Sequence, residues 1–349
     1  SEERSEDGVG VVVQLTPSDG SDDLAVTLVV GSDPEARVEG LLFAPAVDIE
    51  PATTAEEAAD AIVELGETAI GVFDTTGGEC AAPVLDRGAD VQAPIGSAFK
   101  LWVLSAVVDA VDAGTITWDD DVAIEDRFDS LPSGTTQDEP VGSTLTVRTL
   151  AERMISISDN TATDILIDLV GRDAVEAALD ATGHDAPELN RPFFTTRELF
   201  IVKLDQELRS DYLAADEAGR RELLDGPVAD AELPTLASLA GTWTGPIEVE
   251  TLEWFASPAD LCRVLSMLTA DDEARAVLAV NPGLPDETGR WTYIGFKGGS
   301  EPGVLNLTTW VEEADGSSYV MAGSVWSTEA LIDDATATAR LAEVRDLIG

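Results

Sequence analysis

Short apolar runs open the chain. Residues 9–15, 24–30 and 36–43 are rich in Val and Leu, and the turn-forming Pro17-Ser18-Asp19-Gly20 separates the first two. This pattern predicts a few antiparallel strands. Residues 1–46 therefore read as a short β-rich segment, too small to be stable alone, led by a charged stretch (1–8) expected to be disordered. From about Thr53 the period lengthens to that of a helix, with Ala61, Ile62 and Leu65 apolar on one side. Strand-like stretches follow at 70–73 and 82–85. Residues 97–113 form a strongly apolar helix that stops at Gly114, and further helices are predicted over 146–155, 161–170 and 173–181.

Helical periods return at 196–208 and 258–268, the latter opened by Ser257 as a cap and Pro258 at the first helical position. Residues 209–250 are acidic and irregular, and read as an inserted surface excursion. Strands are expected at 291–297, 305–312 and 318–326, then a long helix over 328–348. Strands at both ends of one region with helices between predict an α/β (α+β) domain over residues 50–349, whose sheet joins early and late segments. No internal repeat and no glycine-rich phosphate loop of the G-x-x-x-x-G-K type is visible.

Composition changes this picture mainly through charge. With 68 acidic against 20 basic residues, the net charge is -48. Such a field repels nucleic acid and anionic membrane surfaces, so neither is an expected partner. The excess acid reads as a solvated surface rather than as chemistry. There is no run of 18 apolar residues, so no membrane insertion is expected. His184 is the only histidine, and Cys80 and Cys262 are the only cysteines. That excludes a Cys/His zinc site, and no metal or other cofactor is expected. His184 follows Gly183 in a helix-ending turn and reads as a surface histidine. Whether the cysteines pair is left open.

Lysine is the informative residue, because only Lys100, Lys203 and Lys297 occur. Ser97-Ala98-Phe99-Lys100 places a serine and a lysine three residues apart, on one face at the start of a buried helix. There a desolvated amine can accept the hydroxyl proton, and the helix N-terminus offers N–H groups to a developing oxyanion. Alone, the spacing is a weak signal. Two further elements strengthen it: Ser158-Asp159-Asn160 in the break between two helices, and Lys297-Gly298-Gly299-Ser300 at the end of a strand. Lys203 reads as a solvated helix residue.

These three elements, in this order, resemble the penicillin-binding protein and class A β-lactamase superfamily. Pro94-Ile95-Gly96, Thr117-Trp118-Asp119-Asp120, Leu131-Pro132-Ser133-Gly134 and the stretch from Thr146 to Leu166 extend the likeness over roughly residues 50–349. The resemblance implies an antiparallel sheet flanked by helices and acyl transfer through a serine ester. Ser97 would attack a carbonyl with Lys100 as base, and Ser158 would relay a proton to the leaving group. Lys297 would keep the site electropositive for an anionic small-molecule substrate. The oxyanion hole would map onto the backbone N–H groups of Ser97 and Ser300, next to Gly299. Asn160 would orient substrate or lysine, and Asp159 would be structural.

Two departures stand out. In the E-x-x-L-N loop of class A enzymes a glutamate activates the deacylating water. Here the matching loop is Ala186-Pro187-Glu188-Leu189-Asn190, with Asn190 in place, Ala186 where the glutamate belongs and Glu188 nearby. Deacylation of a penicillin ester is therefore expected to be slow. Gly298 stands where a hydroxyl usually helps to bind the substrate carboxylate, and Ser300 is its expected partial replacement. Residues 193–200 and 297–306 resemble actinobacterial β-lactamase-like serine hydrolases, some with an N-terminal cystatin-like or isomerase-like module; residues 1–46 would be a truncated version. Three functions follow: a β-lactam or ester hydrolase, a D,D-peptidase or penicillin-sequestering protein, and a catalytically idle binding protein. The family works outside the cytoplasm, and a start at Ser1 suits a removed leader; the acidity also suits a salt-adapted cytoplasm.

Overall fold

The structure is a computed structural model that describes residues 2–5, 8–15, 24–31, 38–45, 47, 49–131, 133–235, 243–284, 286 and 288–348. Near the N-terminus, strands β1 (Glu2–Ser5), β2 (Gly8–Leu15), β3 (Leu24–Gly31) and β4 (Val38–Pro45) pair in sequence order as an antiparallel sheet. Residues 2–5, read as disordered, instead pair with β2 through Glu2↔Val11. The turn residues 17–20 lie outside the described residues.

The larger part has an antiparallel sheet flanked by helices. Its strands are β5 (Glu67–Asp74), β6 (Pro83–Arg87), β11 (Trp291–Glu301), β12 (Val304–Glu313) and β13 (Ser318–Trp326), in the order β11-β12-β13-β5-β6. Early and late segments thus share one sheet, as the sequence pattern predicted. Two-stranded ladders pair β8 (Asp121–Ala123) with β9 (Thr144–Thr146), and β7 (Ala93–Pro94) with β10 (Phe255–Ala256).

The helices are α1 (Ala55–Val63), α2 (Lys100–Asp112), α3 (Val147–Ser156), α4 (Asn160–Val170), α5 (Arg172–Ala181), α6 (Thr196–Leu204), α7 (Gln206–Ala214), α8 (Glu217–Leu223), α9 (Pro258–Thr269), α10 (Asp272–Ala279) and α11 (Asp334–Asp346). Among the described residues, no helix is long and apolar enough to cross a membrane. Residues 209–223, read as irregular, instead carry most of α7 and all of α8, because Asp205 and Asp216 cap these helices by accepting backbone N–H bonds. The last helix is shorter than predicted and begins after an Asp333 cap.

The two sheet faces bury different partners. On one, α1 and α11 cover the sheet with Ala58, Ile62, Leu341 and Val344 against Ile70 and Met321. The other face carries the larger core, centred on α2, whose residues 100–107 are all buried. This explains why α2 is apolar all round rather than amphipathic. A disulfide between Cys80 and Cys262 resolves the open pairing, tying the segment after β5 to α9. At Ser257 the predicted cap forms a full capping box, with the Ser257 side chain accepting from Asp260 N and Asp260 accepting from Ser257 N.

Candidate active site

The helix that carries Ser97 does not start as a regular α-helix. Residues Gly96–Phe99 form a 3₁₀ turn that leads into α2. Gly96 has φ +47°, and a Cβ there would lie 3.0 Å from Ser300 N. A Cβ on Gly299 would lie 2.4 Å from Ser97 N and 2.2 Å from Ile95 O. Two glycines therefore let strand β11 approach the nucleophile's turn almost backbone to backbone. That contact brings Ser300 N beside Ser97, where the expected oxyanion hole lies.

The break between α3 and α4 supplies the third element. Asp159 caps α4 through Ala162 N at 2.8 Å, and its other oxygen accepts from Thr135 N, Thr136 N and Thr136 Oγ1, each at 2.8 Å. It is structural, as expected. Ser158, just before it, sits at φ +56°, a left-handed conformation that costs a non-glycine residue about 1–3 kcal/mol. The strain turns Ser158 into the cleft, where Ser133 Oγ donates to its carbonyl at 2.7 Å. Ser133 was not singled out by sequence reasoning; only its place in the Leu131–Gly134 likeness pointed to it.

Lys100 is fully buried. Its Nζ lies 2.6 Å from Ser158 O, 2.6 Å from Asn160 Oδ1, 3.0 Å from Ser158 Oγ and 3.3 Å from Ser97 Oγ. The two closest partners only accept hydrogen bonds, so they take two N–H groups and leave the third position of the amine facing hydroxyls. Burial, and next the charge of Lys297, hold this amine well below the ordinary lysine range. The remaining position of the Lys100 amine therefore faces Ser97 and Ser158. Lys297 donates to the other side of Ser158 Oγ at 3.0 Å and to Gly298 O, and burial lowers it to about 7. The Ser158 hydroxyl thus lies between two amines, a geometry suited to proton relay.

Two chambers open on Ser97. One, of about 250 Å³, carries Ser133, Ser158, Lys297, Ser300 and Asn306 together with apolar Phe296 and Leu305. The other, of about 170 Å³, is walled by Phe99, Leu199, Phe200, Trp243 and Trp254, with Asn160, Glu253 and Glu301 also at its edge. At Gly298, a Cβ would come within 2.9 Å of the Phe296 ring, so that ring fills the space where a side-chain hydroxyl would stand.

The structure brings Ser97, Lys100, Ser158, Asn160, Lys297, Gly299 and Ser300 together. Asn190 is elsewhere. It is buried beneath the site, donating to Phe255 O and accepting from Phe255 N, each at 2.9 Å, so it braces β10. Glu188 is exposed on the turn Pro187–Asn190, and Ala186 N donates to His184 Nδ1 at 3.1 Å. None of the three lines either chamber.

Two readings are corrected. His184 is buried, not a surface residue; it pairs with Phe255 O at 2.9 Å and stands 3.9 Å from Asp260. Packing of α9 onto the turn after α5 covers it. Lys203 is fully buried rather than solvated, with its Nζ on Glu253 at 3.0 Å and on Glu301. Its carboxylate partners are 50 and 98 residues away in sequence, beyond the reach of a helical pattern.

Comparison with known proteins agrees with this architecture. A β-lactamase from Sphaerobacter thermophilus superposes with a TM-score of 0.57 at 21% identity, covering 84% of this chain and 94% of that one. The structure of PBP-A gives 0.55 at 19% identity, over 86% and 97%. The class A β-lactamase representing a last common ancestor of Gram-negative bacteria gives 0.58 at 21%, over 85% and 98%. No curated protein sequence matches the chain. The sequence model of the β-lactamase enzyme family matches residues 54–346, and with that match spanning the sheet, the helices and all three motifs, the chain belongs to this family.

Proposed function

We propose that the protein is a serine hydrolase that forms an acyl-enzyme on Ser97 with an ester or β-lactam and releases it slowly. The observation that carries the reading is the amine of Lys100, buried and aimed at the hydroxyls of Ser97 and Ser158. As the Ser97 Oγ–carbonyl bond forms, its proton passes to Lys100. Ser158, between the two lysines, delivers a proton to the leaving group. The N–H groups of Ser97 and Ser300 face the developing oxyanion.

The two chambers suggest the substrate's shape. An anionic group fits the chamber that holds the Lys297 amine, and an apolar acyl group fits the aromatic side, against Phe200 and Trp254. Slow release is supported by the loop: residues 186–190 line neither chamber, and Glu188 points to solvent. The carboxylates beside the aromatic chamber are both engaged by Lys203. Slow release also supports a second reading, a penicillin-sequestering protein or D,D-peptidase. The Cys80–Cys262 disulfide favours an oxidising location outside the cytoplasm.

Intact mass followed over minutes with a penicillin and a chromogenic ester tests the proposal. The expected result is an adduct on the wild type that outlasts most product release and is absent from Ser97→Ala. Labelling that survives Ser97→Ala overturns the nucleophile assignment. Rapid product without a lasting adduct overturns slow deacylation.

A further inference from the structure

We propose that Lys203, Glu253 and Glu301 form a buried clamp that sets the spacing of the oxyanion hole, acting as positioning residues for the acyl transfer at Ser97. The inference rests on that reading of the site.

The argument follows two backbone paths that start at the nucleophile and meet at one ammonium group. On the first path, Ile95 N, two residues before Ser97, donates to Trp254 O at 3.0 Å. The Trp254 ring stacks on Phe99, two residues after Ser97, with centroids 3.7 Å apart. Trp254 N donates to Glu253 Oε1 at 2.9 Å, and Glu253 Oε2 accepts from Lys203. On the second path, Ser300 N lies against Gly96, and the next residue along β11 is Glu301, which accepts from the same Lys203 Nζ. Ser97 N and Ser300 N, the two donors of the hole, thus sit on separate segments. Those segments meet at the backbone contact between Gly96–Ser97 and Gly299–Ser300, and again at Lys203.

The position of Glu301 makes the tether matter. Glu301 is in the last register pair of β11, Glu301↔Val304, where the strand turns back toward β12. A strand end tends to fray, yet Ser300 is the residue before it and is itself exposed. Lys203 holds that end from α6, a helix fixed by its own capping box at Thr195 and Glu198. All three side chains of the clamp are nearly or fully inaccessible to solvent.

The electrostatics fit a rigid link rather than a titrating catalyst. Burial works against the charge on Lys203, but the two carboxylates overcome it and hold the amine above its ordinary range. Burial, then the Glu253 carboxylate, push Glu301 well up. One ammonium between two carboxyl groups binds both segments and offsets their charge in the core. Loosening the clamp displaces an N–H donor instead of deleting it. The expected loss is smaller than the about 10²- to 10³-fold cost of removing an oxyanion donor outright.

The test compares Glu301→Leu and Lys203→Met with Leu341→Ala, whose side chain is buried on the opposite face of the sheet. Glu301→Leu is the more tractable variant, since it cuts the tether to β11 yet leaves Lys203 and Glu253 as a balanced pair. Three quantities are measured in folded protein: the acylation rate constant, the affinity for phenylboronic acid, which gives a tetrahedral anion on serine, and the noncovalent dissociation constant of the substrate. Glu301→Leu is expected to lower the first two together by about tenfold or more, with the third changed less than about twofold. Leu341→Ala, compared at matched loss of melting temperature, is expected to leave all three in place. Acylation at the wild-type rate in Glu301→Leu overturns the clamp. So does an equal loss in Leu341→Ala, which would make the effect one of stability alone. A wild type that forms no boronate adduct overturns the acyl-transfer reading together with this inference.

Discussion

Two buried lysine settings lie on either side of Ser97, and they are built on opposite principles. Among the described residues, Lys100 and Lys297 have no direct carboxylate partner. Their contacts are hydroxyls, two backbone carbonyls and an amide oxygen, and burial lowers both, Lys297 to about 7. Lys203 is as deeply buried but touches two carboxylates and is held above its ordinary value. Desolvation acts on all three. The surrounding charges decide whether a buried amine becomes a base near neutral pH or a permanent cation. On a chain of net charge -48, keeping carboxylates out of contact with two lysines is the more exacting arrangement. It marks the site more clearly than the lysines do.

The comparison can be broken in four ways, and the largest effect belongs to the catalytic side. Lys100→Ala removes the proposed base and is expected to slow acylation at least about a hundredfold, measured by rapid-quench intact mass. Acylation at the normal rate would place the base elsewhere. The next effect is on stability. Lys203→Met strands Glu253 and Glu301 in the core and is expected to cost about 3–5 kcal/mol by denaturant unfolding. Lys100→Met strands no carboxylate in direct contact and is expected to cost less; equal costs would erase the distinction between the two settings.

A smaller effect concerns pH. Lys297 is lowered from 10.5 to about 7, so its cation is present below that pH and is lost as the pH rises through it. Acylation by a carboxylate-bearing substrate, relative to a neutral ester, is expected to fall roughly tenfold between pH 6 and 8. Lys297→Met should flatten that ratio, and a ratio that does not change in the wild type would deny Lys297 its role with anionic groups. The smallest effect tests the loop. Because Ala186 lies outside both chambers, Ala186→Glu is expected to change deacylation less than about twofold. A large acceleration would show that the loop reaches the acyl-enzyme after all.

How far the site was legible depended on sequence distance. Ser97 and Lys100 are three residues apart, and Ser158, Asp159 and Asn160 are consecutive, so their local geometry follows from helix periodicity and capping. Lys297 and Ser300 were found through their glycine-flanked strand. Asn190 was legible as a loop residue but not as a brace, because its partner Phe255 lies 65 residues on. The same holds for His184, whose bond to Phe255 spans 71 residues, and for Lys203. In each case the residue's hydrogen-bonding partner lies on a segment distant in sequence, which no local pattern names. Residues 209–223 were misread for a different reason. Their caps are aspartates, which look like general surface acidity in so acidic a chain.

Taken by itself, the sequence determined the element types over most of residues 50–349, the joining of early and late strands, and the local placing of Ser97 with Lys100 and of Ser158 with Asn160. These follow from patterns only a few residues long, where backbone periodicity dictates which side chains share a face. Only the tertiary structure decided which charges are buried, which carboxylates Lys203 meets, that Cys80 pairs with Cys262, and how closely β11 approaches Ser97. Burial and charge pairing are properties of segments brought together through space. No local pattern encodes the desolvation and charge pairing that lower the Lys100 amine and raise that of Lys203.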